Sequence, residues 1–206
     1  MNQDLFDTAR WLIGAIARGL AARNGEGVAE VLSRLAEQDL GAASFREPEP
    51  SGLPVLTHLP QAIGEVLMLD PDLAAAIAAI EDSLHWMQSP SYSDDVLGEG
   101  FSLNYGWAEI IGPKGFFPGD DVLLGVLMLG PDRHYINHYH PAPELYWPLT
   151  AQSLWSRAGG PFEEKPQGAT IWNPSMILHA TKTGASPLLA VWCWTRDTSV
   201  PAKLAP

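Results

Sequence analysis

The sequence predicts a mainly β protein with an α-helical N-terminal part, in which a small β-barrel follows a set of helices. Three observations support this prediction. Apolar residues recur at helical spacing over the first part of the chain, the character of the sequence changes near residue 90, and short β-prone runs alternate with turn residues beyond it. We therefore expect a helical extension at 1–92 that packs on a β-barrel at 93–206.

The helical part contains three clear amphipathic segments. Apolar residues between Leu5 and Leu20 form one stripe, which stops before Asn24-Gly25, and those between Val28 and Leu35 form a second. A third helix is expected to begin at Asp70-Pro71, because the aspartate can cap it and proline at the first helical position loses no needed donor. The proline-rich stretch at 47–52 is expected to be a loop.

Several short segments of the second part have the composition of strands. They are Phe101–Ile110, Val122–Leu129, Glu144–Arg157, Ala169–Trp172, Ile177–Thr181 and Leu188–Thr195. Glycine and proline pairs such as Gly112-Pro113 and Gly130-Pro131 separate them. Many short strands at regular intervals are typical of a sandwich or barrel.

Composition and charge exclude several classes of function. The formal net charge of −12 argues against a nucleic-acid partner, since an acidic protein repels phosphate. The single cysteine, Cys193, rules out a disulfide within the chain. The N-terminus has no basic region ahead of an apolar core, and the apolar segment at 11–22 is interrupted by Arg18 and too short to span a bilayer. We expect a cytoplasmic protein without membrane association.

The strongest functional signal is the segment from His138 to Glu144, which reads His-Tyr-His-Pro-Ala-Pro-Glu. Residues two apart on a strand share a face, so His138 and His140 can point inward together, and the prolines can turn Glu144 back toward them. A second strand can add His179. Imidazoles and a carboxylate suit a divalent transition metal. We expect one such ion (Fe, Zn, Mn, Co or Ni), with positions left open for substrate or water.

These residues resemble the two motifs of the cupin superfamily, which carry HxHxxxE and a glycine followed by PxGxxH. Gly168, Pro174 and His179 stand at the spacing of the second motif, whereas Met176 replaces its inner glycine and Thr183 replaces the asparagine expected after the histidine. The resemblance implies a cupin-type barrel, that is, a double-stranded β-helix or jelly roll. The replaced residues shape turns and are not ligands, so they indicate a divergent branch.

A longer run of residues looks like the cupin-type dimethylsulfoniopropionate (DMSP) lyases of marine bacteria. The run is Tyr135-x-x-His138-x-His140-x-Ala142-x-Glu144-x-Tyr146, followed by Trp172-x-Pro174-Ser175-Met176-x-x-His179-Ala180. The helical extension and the chain length also look like the larger members of that group. The resemblance implies a carbon–sulfur lyase of the dimethylpropiothetin dethiomethylase type, which cleaves DMSP to dimethyl sulfide and acrylate with a metal and a tyrosine base.

The residues around the motif make chemical sense for this reaction. The substrate must lose a proton next to its carboxylate, and a metal on that carboxylate stabilises the developing negative charge. A nearby cation also lowers the pKa of tyrosine from its usual value of about 10. Tyr146 lies two residues after Glu144 and should share the ligand face, so it is the candidate base, with Tyr135 as the alternate or a helper.

Aromatic side chains are candidates for binding the sulfonium group, because aromatic faces attract such cations. We expect Trp172, Trp194 and Tyr105 to contact the substrate, although core packing is the commoner role of aromatic residues in strands. His134 is a further candidate contact, since its even spacing from His138 predicts that it faces inward.

Two other functions fit the same motifs. A non-haem iron dioxygenase acting on a small organic acid would use the same ligands with open positions, and a small-molecule-binding cupin would hold the metal without turnover. The paired tyrosines argue against the second alternative, because a structural site needs no base. The native metal, the physiological substrate among sulfonium or betaine acids, and the oligomeric state, a homodimer included, stay open.

Overall fold

The computed structural model describes residues 1–205 as a β-sandwich with helices packed on one of its sheets. The helices are α1 Gln3–Ala21, α2 Val28–Ala36, α3 Leu59–Leu69, α4 Pro71–Ile80 and α5 Asp94–Leu97, with 3-10 turns at Pro54–His58 and Glu81–Ser83. The strands are β1 Trp86–Met87, β2 Tyr105–Ile111, β3 Leu123–Leu129, β4 His134–Tyr139, β5 Glu144–Pro148, β6 Ser153–Arg157, β7 Glu163–Lys165, β8 Ile171–Asn173, β9 His179–Thr183, β10 Leu188–Trp194 and β11 Lys203–Leu204.

The strands form two antiparallel sheets. The order in the six-stranded sheet is β1-β2-β3-β10-β5-β8, and the order in the five-stranded sheet is β11-β4-β9-β6-β7. Two facing antiparallel sheets with helices at the N-terminal side confirm the predicted fold class, a cupin-type jelly roll with a helical extension.

Alternation along the strands of the six-stranded sheet separates two apolar cores. On β10, Leu189 and Val191 point toward the helices, whereas Trp192 points into the space between the sheets. On β5, Trp147 belongs to the helix side and Tyr146 to the interior. The six-stranded sheet is therefore buried on both faces, and the interior between the sheets is the part that carries the aromatic and polar residues of the predicted site.

The helical part agrees with the predicted segments and adds one helix. The side chain of Asp70 accepts a hydrogen bond of 3.0 Å from the backbone N–H of Leu73, so the predicted cap of α4 is confirmed. The helix α3 was not predicted, because Gly64 interrupts its pattern and few of its apolar side chains are buried. Asp70 is both the C-cap of α3 and the N-cap of α4.

The strand boundaries differ from the prediction mainly where turns interrupt an apolar run. The predicted strand at 144–157 is two strands, β5 and β6, because the chain turns between them and Gln152 adopts a left-handed conformation with φ of 61°. The strand β1 lies within the predicted helical extension and pairs with β2 of the barrel. The division of the chain at residue 92 stays a prediction.

None of the helices within residues 1–205 has both the length and the apolar character that crossing a membrane requires.

Candidate metal centre

Three side chains from separate strand ends converge between the two sheets. His140 directly follows β4, Glu144 begins β5 and His179 begins β9, and all three are buried. One nitrogen or oxygen from each lies within 4.8 Å of the others. The five-stranded sheet positions both histidines, while the six-stranded sheet positions the glutamate, so the cluster forms only when the sheets pack face to face.

The hydrogen bonds of the histidine rings leave their lone pairs facing the glutamate. Nδ1 of His140 lies 2.8 Å from the carbonyl oxygen of Ala142, and Nδ1 of His179 lies 2.9 Å from that of Ile177. Each Nδ1 must donate to its carbonyl, which assigns the proton to Nδ1 and leaves Nε2 as an acceptor.

Both Nε2 atoms then face Oε2 of Glu144, which is also a hydrogen-bond acceptor. They lie 3.3 Å (His140) and 3.2 Å (His179) from Oε2 of Glu144, and Nε2 of His179 has no hydrogen-bond partner in the described part of the chain. Three buried acceptor atoms this close together are stabilised by a cation that all three bind. The donor set of two imidazoles and one carboxylate fits a divalent transition metal, with backbone carbonyls holding the rings in place.

The electrostatics of the cluster favour the charged form of Glu144 and the neutral form of the neighbouring His138. Burial opposes the charge on Glu144, but positive charge on His140 and His179 outweighs it and lowers the pKa of the carboxyl below its ordinary value, and a cation held between the three side chains would act in the same direction. Burial, together with the neighbouring His179, lowers the pKa of His138 well below that of a free histidine. A deprotonated carboxylate and neutral imidazoles are the forms that bind metals.

His138 lies next to the cluster but is not one of the three residues that form it. Its buried ring is 4.0 Å from the ring of His179, and its Nδ1 is 2.9 Å from the carbonyl oxygen of Ile136. On its other face it stacks against Tyr135, with ring centroids 3.9 Å apart. Ligation by His138 stays a prediction.

A bulge in β4 decides which of its side chains face the site. Along β4 and β9, Tyr135 pairs with Thr181 and His138 pairs with His179, so β4 contains one more residue than its partner between these pairs. Such a bulge reverses the alternation. As a result Tyr135 and His138 both face inward, although they are three residues apart.

The same bulge turns His134 away from the site, so the contact expected from strict alternation is not formed. His134 is exposed on the outer face, where its ring packs edge-on against Phe162 at 5.4 Å.

A cavity of about 460 Å³ extends from the cluster between the sheets. Four of the predicted catalytic or substrate-binding residues line it, together with Glu144: Tyr146, Tyr135, Tyr105 and Trp194. Trp194 joins the cavity to the cluster, because its indole N–H donates to Oε1 of Glu144 and its ring stacks on His140 at 4.2 Å.

Trp172 is not brought to this cavity. It pairs with Leu145 and therefore lies on the helix side of the six-stranded sheet. There its ring packs against the backbone of Gly27, where a Cβ would lie 2.1 Å from the nearest ring atom. The expected substrate contact is thus replaced by a contact that anchors the start of α2.

Sequence reasoning missed several residues that line the cavity. Tyr92 lies at the predicted boundary between the helical extension and the barrel, yet its hydroxyl is 3.0 Å from that of Tyr135. Glu109 on β2 and Thr198 in the segment after β10 also line the cavity. Trp107 and Trp192 also line it; the sequence offered both as aromatic residues for binding a sulfonium group, but they were not among the predicted contacts. No local sequence pattern identifies most of these residues. Trp192 is the exception, because it lies two residues from Trp194 on one strand and therefore shares its face.

Comparison with known proteins places the chain in a family. The sequence profile of the dimethylsulfoniopropionate lyase family matches residues 26–190. The dimethylsulfoniopropionate lyase DddQ of Ruegeria pomeroyi is 29% identical over 173 residues, covering 76% of this chain and 85% of the relative.

Solved structures agree in fold. A crystal structure of DMSP lyase DddQ from the same organism superposes with a TM-score of 0.72 at 21% identity, covering 100% of this chain and 98% of the other. A chain from the crystal structures of the DMSP lyases RdDddP and RnDddQII gives the same TM-score at 23% identity, covering 97% and 98%.

The match to the family extends over most of the chain and includes all three clustered ligands. The chain belongs to the dimethylsulfoniopropionate lyase family, which makes it a carbon–sulfur lyase by family.

Proposed function

We propose that this protein cleaves DMSP to dimethyl sulfide and acrylate with one divalent transition metal and a tyrosine base. His140, Glu144 and His179 hold the metal in this proposal, with His138 as the fourth ligand. The observation that carries the proposal is the position of Glu144, one of the three clustered ligands, in the wall of a cavity that Tyr146 and Tyr135 also line. The family assignment supports the same substrate.

The metal at this cluster would supply positive charge beside the substrate carboxylate, where negative charge develops during proton abstraction. The chain itself supplies the proton acceptor and the shape of the cavity. Glu144 is fixed by Trp194 on one oxygen and faces both histidines with the other. The ligand geometry is therefore set by the strands before any ligand binds.

Tyr146 is the proposed base. It follows Glu144 by two residues on β5 and lines the cavity on the same face. In the protein alone, burial and then the charge of Glu144 raise the pKa of Tyr146 well above its usual value. Positive charge bound at Glu144 offsets the second cause and favours the phenolate. Tyr146 is thus suited to act as a base only when the centre is loaded.

The step is an elimination in which all charges balance. The phenolate oxygen of Tyr146 takes a proton from the carbon next to the carboxylate, the two carbons form a double bond, and the carbon–sulfur bond breaks with its electron pair on sulfur. Dimethyl sulfide leaves as a neutral molecule, so no general acid is needed. Tyr146 then returns the proton to water, and acrylate is released.

Tyr135 is better suited to a supporting role. Its hydroxyl is engaged with that of Tyr92, and its ring covers His138. Burial and the neighbouring tyrosines raise its pKa well above the usual value, and Glu144 is not among the causes.

The test is headspace gas chromatography of dimethyl sulfide from purified, metal-loaded protein. Tyr146→Phe and His140→Ala should each abolish release, while Tyr135→Phe should reduce it. Tyr139→Phe is the matched control, because Tyr139 lies outside the cavity wall and should keep full activity. Full turnover by Tyr146→Phe would refute the assignment of the base. Failure of the unmodified protein to release dimethyl sulfide with any of Fe, Mn, Zn, Co or Ni would refute the proposed reaction, and oxygen uptake would then test the dioxygenase alternative.

A further inference from the structure

A buried carboxylate lies at the end of the cavity away from the metal centre. Glu109 on β2 is 5% exposed and lines the cavity. One of its oxygens accepts a hydrogen bond of 2.6 Å from the backbone N–H of Lys114. Within residues 1–205, no lysine, arginine or histidine nitrogen comes within 4.0 Å of this carboxylate. Buried carboxylates are ordinarily paired with a cation, whereas Lys114 and His85 act on Glu109 only from beyond that distance, so Glu109 calls for a reason.

The register of the six-stranded sheet connects Glu109 to the proposed base. Tyr146 pairs with Trp192, Trp192 pairs with Gly125, and Gly125 pairs with Glu109. These residues form one row across four strands, so Tyr146 and Glu109 are separated by about 14 Å at their Cα atoms. A short substrate held by its carboxylate at the metal centre does not span this distance. Glu109 therefore belongs to a different end of the same cavity.

Two tryptophan rings lie beside this end. Gly125 lets the ring of Trp192 extend across β3, since a Cβ at Gly125 would lie 2.6 Å from that ring. Trp107, two residues before Glu109 on β2, packs edge-on against Trp192 at 5.8 Å. Both rings line the cavity. The exposed residues Pro113 and Ser199 also line the cavity. Pro113 belongs to the turn whose next residue, Lys114, donates to Glu109. Glu109 therefore lies on the side of the cavity that opens to solvent.

We propose that Glu109, Trp107 and Trp192 form an outer site that binds small methylated onium cations, either sulfonium or quaternary ammonium. A carboxylate supplies the opposite charge, and aromatic faces attract cations that carry methyl groups and form no hydrogen bonds. One carboxylate and two aromatic faces suit such a cation better than they suit a hydrated metal ion or a lysine ammonium, each of which prefers several oxygen acceptors. The role of the site is to capture the cationic end of a substrate before its carboxylate reaches the metal, and this role rests on the proposed function.

The binding itself is tested without turnover. Tetramethylammonium chloride is titrated into the purified protein at constant ionic strength, and tryptophan fluorescence is recorded. We expect saturable binding that Glu109→Gln weakens about tenfold, because glutamine keeps the hydrogen bond from Lys114 but loses the charge. Glu164→Gln, which removes an exposed carboxylate on β7, is the matched control and should bind as the unmodified protein does.

Two further arms separate a cation site from a merely apolar one. tert-Butanol has a similar size and no charge, so it should bind far more weakly. Trp107→Leu should also weaken tetramethylammonium binding, and it keeps the proposal testable if Glu109→Gln fails to fold. Equal affinity of tert-butanol, or unchanged affinity in Glu109→Gln, would overturn the proposal and leave Glu109 as a residue that only stabilises the turn at Lys114.

The experiments distinguish failure of this proposal from failure of the proposed lyase function. Cation binding without dimethyl sulfide release would refute the lyase function and support the outer site. Dimethyl sulfide release together with unaltered cation binding in Glu109→Gln would support the lyase function and refute the outer site. Where both hold, Glu109→Gln should raise the KM for DMSP several-fold and leave kcat nearly unchanged, because the residue acts on capture and not on the elimination step.

Discussion

The indole N–H of Trp194 donates a hydrogen bond of 2.8 Å to Oε1 of Glu144. This contact fixes the carboxylate so that its other oxygen faces His140 and His179. Hydrogen bonds of this kind orient metal ligands and tune their affinity.

Trp194→Phe should therefore lower metal affinity by about 10- to 100-fold, since the carboxylate loses its orienting donor. Competition with a coloured chelator measures the affinity. Trp192→Phe is the matched control, because Trp192 lies on the same face of β10 but makes no hydrogen bond to Glu144. Equal loss of affinity in both variants would show that the hydrogen bond has no special role.

Metal binding should stabilise the folded protein. The ligands converge from β4, β5 and β9, so a bound ion cross-links both sheets and binds the native state far better than the unfolded chain. At a free metal concentration of 100 times the Kd, the gain in free energy of unfolding is about 2.7 kcal/mol. Thermal unfolding with and without a chelator measures it. His140→Ala should show a much smaller difference between the two conditions, and a similar difference would place the ion elsewhere.

Two glycine substitutions should have opposite effects on stability. Gly27 has φ of 79° and lies against the ring of Trp172, so Gly27→Ala should destabilise the protein by about 1–3 kcal/mol through strain and overlap. Gly64 lies within α3, and a Cβ there would meet no atom within 4 Å. Gly64→Ala should stabilise by about 0.5–1 kcal/mol. Urea unfolding measures both, and destabilisation by Gly64→Ala would contradict the open position seen for that residue.

The unpaired carboxylate of Glu109 should cost stability as the pH rises. Burial raises its pKa above the ordinary value of 4.5, although the backbone hydrogen bond from Lys114 and the charges of Lys114 and His85 oppose the shift. The native state therefore holds the proton more tightly than the unfolded chain, and stability falls as the pH increases from 4.5 through the folded pKa.

Glu109→Gln removes this titration. We expect the variant and the unmodified protein to have similar stability at pH 4, and the variant to be the more stable at pH 7. Urea unfolding across this range measures the difference. If the stability of the variant relative to the unmodified protein were lower at pH 7 than at pH 4, the prediction would be contradicted.

The sequence was enough to predict three residues of the ligand cluster and the fold class. His140, Glu144 and His179 converge as their spacing predicted, while ligation by His138 stays a prediction. The fold class followed from the resemblance of the two motifs to those of the cupin superfamily. The cap at Asp70 was equally readable, since it depends on neighbours within one helical turn.

Only the tertiary structure decided which side chains reach the cavity. The bulge in β4 brings Tyr135 inward and leaves His134 exposed, and the pairing of Trp172 with Leu145 turns its ring toward Gly27. The sheet register likewise sets Glu109 in one row with Tyr146. Local sequence determines alternation within a strand, but a bulge, the choice of partner strand and the packing of helices on a sheet depend on contacts between residues far apart in the chain.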